Sequence, residues 1–246
     1  LYVAKTDDQH AVGGKFHPKG HAAGDQFRRF FFNRTHKLIS KKTRIMAVTH
    51  ISNVLGLINP VKDIIEKCHS KGVPVLVDGA QGIVHCKVDV QEMDCDFYVF
   101  SGHKLYAATG TGVLYGKKKW LDAMPPYMGG GEMVGNVNFK ETTYAALPLK
   151  FEAGTQNYAS IATLKPAILF VNYLNDNKLE DNMNDIRDYL LSTLLSDERI
   201  TLYGVPRGTN EEKIPLFSFT VKSLSSAYLK TVNRIFFRKS VIAFSY

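Results

Sequence analysis

Cysteine is scarce in this chain of 246 residues, and its three copies, Cys68, Cys86 and Cys95, show no Cys-x-x-Cys spacing. This excludes a disulfide framework and the common zinc motifs, and an odd cysteine count without a secretion signal favours a reducing compartment. The sequence also lacks the run of roughly 20 apolar residues that a membrane-spanning helix needs. It does not begin with Met, and Leu1–Asp8 does not resemble a signal peptide. We therefore expect a cytoplasmic location and no membrane partner.

Nucleotide-binding loops are absent as well. Gly110-Thr-Gly-Val113 is too short for a dinucleotide fingerprint, and no Walker sequence is present. The net charge of +8 lies mainly at the ends of the chain: residues 1–42 hold nine Lys or Arg and three acids, and residues 224–246 hold four Lys or Arg and no acid. Because the middle is slightly acidic, we expect no nucleic-acid partner. His10, His17 and His21 match no zinc-binding spacing, so we expect no metal site.

A strand–helix–strand unit follows the basic N-terminal segment. The apolar run Arg44–His50 predicts a buried strand, and Asn59-Pro60 then opens a helix with proline in its first turn. The helix has one apolar face, and Gly72 ends it before the next strand, Val73–Val77. The residues of that face are Val61, Ile64, Ile65 and Cys68. Such a unit predicts a parallel sheet covered by helices, the α/β class.

Further apolar segments extend this plan. Strands are predicted at Cys95–Phe100, Gly112–Tyr115, Ile200–Tyr203 and Pro215–Val221, and helices from about Ile161 to Leu174 and from about Glu180 to Leu195. We divide the chain into a poorly defined basic segment (1–42), a cofactor-binding core (43–157), linking helices with part of a small domain (158–224) and a divergent basic tail (225–246).

Two of the predicted strands end in polar side chains. One ends in Ser101-Gly-His103-Lys104 and the other in Asp78-Gly-Ala-Gln81. Taken separately, Lys104 would be interpreted as an exposed lysine, and Asp78 would be interpreted as a turn former. Together they match the chemistry of pyridoxal 5'-phosphate (PLP), in which a lysine forms a Schiff base and an acid holds the pyridine nitrogen protonated. Ligands of open parallel sheets bind beyond the carboxyl ends of the strands, where both motifs lie.

Two more polar residues have two interpretations each. Asn53 follows the first predicted strand, where it forms a turn or offers an amide to a carboxylate or to the cofactor ring. Thr155, in Ala-Gly-Thr-Gln-Asn157, caps the next helix or donates a hydrogen bond to a phosphate.

Five segments in this order resemble the fold-type I PLP enzymes of the class V aminotransferase group. Within that group, the chain is similar to cysteine desulfurases that serve iron–sulfur cluster assembly, which are related to selenocysteine lyases. The match runs from about Lys42 to about Leu224. Its segments are Thr49–Gly56, Val77–Gln81, Asp94–Lys104, Met124–Met133 and Phe151–Asn157.

The resemblance implies a role for each candidate residue. Lys104 forms the Schiff base, Asp78 pairs with the pyridinium, and Gln81 contacts the ring hydroxyl. Ser101 and His103 bind the phosphate, Asn53 binds the substrate carboxylate, and Thr155 reaches the phosphate of the other subunit's cofactor. It also implies a homodimer with a mostly parallel sheet, helices on both faces and a small C-terminal α+β domain. The reaction converts L-cysteine, or selenocysteine, to L-alanine and passes the sulfur to an acceptor protein.

The two ends depart from the family pattern. Residues 1–42 show neither the family's glycine/threonine phosphate loop nor its ring-stacking histidine, and the tail after Leu224 contains no cysteine to accept sulfur. We expect a chain truncated or mis-joined at both ends that does not complete persulfide transfer. The alternatives are another class V aminotransferase or lyase, a non-catalytic fragment, and a nucleic-acid binder that uses the basic ends.

Overall fold

A five-stranded mixed sheet forms the centre of the protein. The computed structural model describes residues 2–5, 38–177, 181–204 and 213–222. The sheet order is β1-β2-β3-β4-β5, and β2, β3 and β4 are parallel, whereas both outer pairs are antiparallel. The predicted α/β class is confirmed. The strands are β1 (Tyr2–Lys5), β2 (Thr43–Thr49), β3 (Val75–Asp78), β4 (Phe97–Ser101) and β5 (Gly112–Gly116).

Strand β1 is the element that the sequence analysis missed. The sequence predicts only a poorly defined segment over residues 1–42, yet Tyr2–Lys5 pairs with β2, with Tyr2 opposite Ala47. Four residues are too few to show an alternating pattern, and the partner strand lies far along the chain. The histidines at positions 10, 17 and 21 and the tail after residue 222 lie outside the described residues.

Seven helices and two small sheets complete the described part of the chain. The helices are α1 (Val61–His69), α2 (Gly82–His85), α3 (Val90–Met93), α4 (Lys118–Ala123), α5 (Tyr158–Ala162), α6 (Leu164–Asp176) and α7 (Asp181–Ser196). Two small antiparallel sheets are separate from the main sheet: β6 (Val134–Val137) pairs with β7 (Thr142–Tyr144), and β8 (Ile200–Tyr203) pairs with β9 (Ser218–Val221). None of the described helices is long and apolar enough to cross a membrane.

Helix α1 covers one face of the sheet. Its predicted apolar face is buried, and Gly72 adopts the left-handed conformation, φ +69°, as predicted for a helix end. Burying a Val or Ile side chain contributes about 1.5–3 kcal/mol, so this contact holds the helix in place. The core consists of Val61, Ile64, Ile65 and Cys68 from the helix with Met46, Val48, Val75 and Val77 from the sheet.

The buried carboxylate of Asp96 ties the amino end of β4 to its neighbours. It accepts hydrogen bonds from His69 Nε2 at 2.7 Å, from the Val75 amide at 2.8 Å and from Trp120 Nε1 at 2.6 Å. Burial alone raises the pKa of Asp96, but these three hydrogen bonds outweigh it and hold the pKa below its ordinary value.

Replacing Asp96 with Ala should lower the free energy of unfolding at pH 7 by about 3–5 kcal/mol, because three donors lose a shared buried acceptor. Chemical denaturation measures this. The folded-state pKa is depressed, so the stabilisation is present above about pH 4 and is lost as the pH falls through the folded pKa, and the difference between parent and variant should shrink there. Asp122→Ala, which breaks only the exposed pair with Lys118, is the matched control and should cost less than about 0.5 kcal/mol. An equal loss in both variants would contradict this account.

Tyr98 fixes the turn that follows β3. A Cβ added to Gly79 would lie 2.0 Å from the Tyr98 ring, and one added to Gly82 would lie 2.8 Å from its hydroxyl. The two glycines therefore let the buried ring lie directly beneath the turn from β3 into α2.

Gly79→Ala should destabilise the fold by about 1–3 kcal/mol, because the ring has no room to retreat in the core. The loss should be smaller when the ring is also removed, in Gly79→Ala combined with Tyr98→Leu, which a double-mutant cycle of denaturation midpoints detects. Gly129→Ala, where an added Cβ meets nothing within 4 Å, serves as the control. Strictly additive effects would show that the two residues are not in conflict.

Candidate active site

The parallel register brings the two polar strand ends to the same edge of the sheet. Asp78 pairs with Thr49 on β2 and with Val99 on β4. Ser101 lies two residues beyond Val99, so its side chain projects from the same face as Asp78. This is the face opposite α1, and Thr49, Asp78, Val99 and Ser101 are all only partly buried on it. The edge and the face together form an accessible polar surface.

The turn after β3 holds Asp78 through one carboxylate oxygen. Its Oδ1 accepts a hydrogen bond from the Ala80 amide at 3.0 Å, which is the turn-forming role that the sequence allowed. No described residue donates a hydrogen bond to the other oxygen, Oδ2. Gln81 lies at the N-terminus of α2, partly buried. The turn therefore presents one unused carboxylate oxygen and one amide.

A buried pair supports this turn from below. His50 Nδ1 lies 3.2 Å from the Tyr98 hydroxyl, and the two rings meet edge to face. Burial lowers the pKa of His50 and raises the pKa of Tyr98, so both side chains are neutral near pH 7. The sequence analysis did not identify this pair. The only indication of the pair in the sequence is the position of Tyr98, a bulky residue between two turns that contain glycine.

The loop after β4 exposes Lys104. Gly102–Leu105 form a 3-10 helix in which Gly102 and Leu105 are buried, while His103 and Lys104 are exposed. A Cβ on Gly102 would lie 2.2 Å from Thr111 Oγ1, so only glycine fits at this position. Its amide donates to the Thr111 carbonyl at 2.9 Å. The close contact on the glycine side turns the histidine and the lysine outward.

The junction of α5 and α6 supports the same loop. The Ala108 amide donates a hydrogen bond to Thr163 Oγ1 at 2.9 Å, and Leu164 packs beside Gly102. Tyr106 has a φ of +65°, a conformation that costs a side-chain-bearing residue roughly 1–2 kcal/mol. Its ring meets Phe170 of α6 edge to face at 5.4 Å, which offsets part of that cost.

Asn53 lies in the turn that connects β2 to α1. The Ser52 hydroxyl accepts hydrogen bonds from the amides of Val54 at 3.3 Å and Leu55 at 3.0 Å, which closes the turn. The Asn53 side chain is exposed and takes no part in closing it. The turn is closed without the Asn53 side chain, so the structure leaves the Asn53 amide available for a ligand.

Thr155 does not cap the following helix, so that interpretation was wrong. Asn157 is the cap of α5, and its side chain accepts from the Ser160 amide at 3.2 Å. Thr155 is exposed in a bend beside the glycine cluster, where the Gly154 amide donates to the Gly131 carbonyl at 3.0 Å. Asn157 directly precedes the first helical residue, Tyr158, and so reaches the free amides of the first turn, whereas Thr155 lies two residues before that cap position.

The candidate side chains share one property: their polar groups are almost all without a hydrogen bond or ion pair to another described residue. Apart from the bond between Asp78 and Ala80, none of them forms a side-chain hydrogen bond or ion pair with another described residue. Asn53, His103, Lys104 and Thr155 are exposed and the others are partly buried, so their polar groups are accessible to a ligand. An amine, a carboxylate with an unused oxygen, and hydroxyl, imidazole and amide groups are the set that PLP requires. The group includes Asn53, Asp78, Gln81, Ser101, His103, Lys104 and Thr155.

Sequence comparison relates this chain to one family of known proteins. The model of the aminotransferase class V family matches residues 22–234. A cysteine desulfurase of Cronobacter sakazakii is 49% identical over 168 residues, 68% of this chain and 41% of that protein. One from Escherichia coli O127:H6 is 48% identical over 170 residues, 69% of this chain and 42% of that protein. The chain thus spans about two fifths of the length of these curated relatives.

Solved structures show the same fold. The crystal structure of the cysteine desulfurase CsdA from Escherichia coli superposes with a TM-score of 0.74 at 34% identity, covering 86% of this chain and 51% of that one. An apo cysteine desulfurase from Thermococcus onnurineus NA1 gives a TM-score of 0.75 at 27% identity with the same coverage of both chains. The resemblance found in the motifs is confirmed, and the chain belongs to the class V aminotransferase family.

Proposed function

We propose that this chain forms the PLP-binding core of a cysteine desulfurase that acts on L-cysteine or selenocysteine. The observation that carries the proposal is the uncommitted Lys104 at the sheet edge where Asp78 ends the neighbouring strand. The identity of 49% over 168 residues to curated cysteine desulfurases supports this substrate class. We keep the division at residues 42, 157 and 224 as part of the proposal.

Each candidate residue has a role in this proposal. The Lys104 amine would hold the cofactor covalently and would move protons at the substrate α-carbon. The unused oxygen of Asp78 would accept the pyridine N–H, and Gln81 would donate to the ring hydroxyl. Ser101 and His103 would donate to the phosphate. Bound PLP supplies an electron-withdrawing ring that lowers the cost of breaking bonds next to the α-carbon.

Asn53 and Thr155 complete the proposed site from other segments. The exposed Asn53 amide would donate to the substrate carboxylate, and Thr155 to the phosphate of the partner subunit's cofactor, which requires a homodimer. Exposed apolar side chains on α6 and on the β6–β7 hairpin support such a dimer because monomers rarely leave so many uncovered. They include Ile168, Leu169, Phe170 and Tyr173 on α6 and Val137, Phe139 and Tyr144 on the hairpin.

The protonation of the chain's own cysteines decides whether they can accept sulfur. Burial is the main cause that raises the pKa of Cys68 and of Cys95 to about 11, so neither thiol is a thiolate near pH 7. Cys86 is partly buried. This favours a second candidate function, an aminotransferase or lyase of the same family that needs no protein thiolate. Under the first proposal, the sulfur passes to an acceptor protein for iron–sulfur cluster assembly, and the odd count of three cysteines supports a reducing cytoplasm.

Lys104→Ala should abolish covalent attachment of PLP, whereas Asp78→Asn should keep attachment but weaken PLP affinity about tenfold or more, because a charge-assisted hydrogen bond is lost. Absorption spectra followed by borohydride reduction and mass spectrometry of the labelled peptide measure both effects. The control is Lys140→Ala, an exposed lysine between β6 and β7. A label that stays on the chain in Lys104→Ala would refute the assigned lysine.

Turnover distinguishes the two candidate functions. The desulfurase breaks the carbon–sulfur bond of L-cysteine and places a proton on the β-carbon to give alanine. The sulfur atom passes to a thiolate as a persulfide, which a second thiol reduces to sulfide while a disulfide forms. We expect no persulfide on the chain's own cysteines, so the added thiol must accept the sulfur. With dithiothreitol in that role, the PLP-loaded chain should produce alanine and sulfide in equal amounts, and Cys86→Ser should not change the rate. A 2-oxo acid formed without sulfide would support the aminotransferase instead.

A further inference from the structure

The segment Lys213–Ser218 contacts the turn that carries Asn53. Ser218 Oγ donates a hydrogen bond to the Val54 carbonyl at 2.5 Å, Lys213 Nζ donates to the Leu55 carbonyl, and the Ile214 amide donates to the Gly56 carbonyl at 2.8 Å. Three consecutive carbonyls of the turn are therefore held by one distant segment.

Close packing reinforces these bonds. Gly56 has a φ of +69°, and a Cβ there would lie 2.8 Å from the Leu216 carbonyl oxygen. Gly204, at the end of β8, lies against Leu55, where an added Cβ would be 2.7 Å from the Leu55 Cβ. Beneath the turn, Ile51, Ile214 and Leu216 form a small apolar cluster. The C-terminal part of the described chain therefore packs closely beneath the turn and restricts its conformation.

Burying a lysine at position 213 costs folding free energy. Its side chain is only 2% exposed, and no carboxylate of the described residues lies within 4.0 Å of its nitrogen. Besides donating to the Leu55 carbonyl, the amine lies over the Phe217 ring at 5.2 Å and beside Gly56, where an added Cβ would be 3.1 Å from it. Burial lowers the pKa of Lys213 to about 8. A methionine of similar length would avoid that cost, so fold stability does not account for a lysine here.

We propose that Lys213 is a positioning residue for substrate: it holds the turn Ser52–Gly56 so that Asn53 presents its amide to the substrate carboxylate. The inference rests on the proposed function, because the role of Asn53 belongs to it. Lys213 acts through the Leu55 carbonyl, two residues from Asn53, and does not itself touch the substrate. Substrate affinity then depends on a segment that lies 158 positions away in sequence from Leu55.

The test uses the full chain loaded with PLP and compares Lys213→Met with a control, Lys222→Met, which replaces an exposed lysine directly after β9. In Lys213→Met, the KM for L-cysteine and the dissociation constant of the product L-alanine should rise about tenfold, the effect of misplacing one charge-assisted hydrogen bond, with kcat little changed. Stability to denaturant at pH 7 should stay equal or increase. Lys222→Met should change none of these quantities.

A double-mutant cycle shows whether Lys213 acts through Asn53. The loss of L-alanine affinity in Asn53→Ala should be about equal to that in Lys213→Met, and the double variant should lose no more than either single variant. Additive losses would overturn the proposal, because the lysine would then act elsewhere. Reduced stability with unchanged affinity would overturn it too, since Lys213 would then only support the fold.

Hydrogen exchange of the turn separates this inference from the proposed function. The Gly56 amide donates to the Ser52 carbonyl at 2.9 Å, and Lys213→Met should speed its exchange about tenfold even without cofactor or substrate. Unchanged exchange would overturn the inference whatever the activity. If the parent binds PLP but no amino acid, the substrate assignment fails and so does the positioning role, even if exchange rises in Lys213→Met. Failure of the parent to bind PLP, by contrast, concerns Lys104 and not Lys213.

Discussion

The mutual hydrogen bonding of Asp96 and Val75 fixes the register on which the candidate site depends. The Asp96 amide donates to the Val75 carbonyl, and the Asp96 carboxylate accepts from the Val75 amide, so β3 and β4 are aligned at their amino ends. From that alignment, Asp78 falls beside Val99 three residues later. A slip of one residue would move Asp78 and Ser101 to opposite faces of the sheet. The geometry at one end of the strands is thus set by a buried carboxylate at the other.

The two ends of β4 use polar groups in opposite ways. At the amino end, Asp96 is buried and its oxygens are occupied by an imidazole, an indole and an amide. At the carboxyl end, the side chains of Ser101, His103 and Lys104 form no hydrogen bond or ion pair with another described residue. Paired groups contribute to stability, whereas unpaired groups contribute none and are available to a ligand. This contrast separates the site from the scaffold within a single strand and its flanks.

Local patterns in the sequence predicted most of the fold. The apolar face of α1, its glycine end and the strands on either side follow from periods of 3.6 and 2 within a few residues. The polar strand ends predicted the site because parallel strands end at a common edge. Features that depend on distant contacts escaped prediction. Strand β1 is defined by its pairing with β2, and Thr155 lost its capping role to Asn157, whose side chain reaches the amide in three dimensions.

Lys213 is the extreme case of such a contact, because nothing in its immediate sequence distinguishes it from an exposed lysine. Its burial is visible only when the turn at Ser52–Gly56 is in place, and its single described acceptor is a carbonyl of that turn. The Lys213 backbone also contacts Leu57 and Arg187, but its amine donates to this turn, and we attribute its costly burial to holding the turn in position. The proposed site therefore extends beyond the edge of the parallel sheet. The strands set where Asp78 and Lys104 lie, and the C-terminal segment holds the turn that carries Asn53. Under the proposed function, cofactor binding and substrate affinity would therefore depend on different parts of one chain.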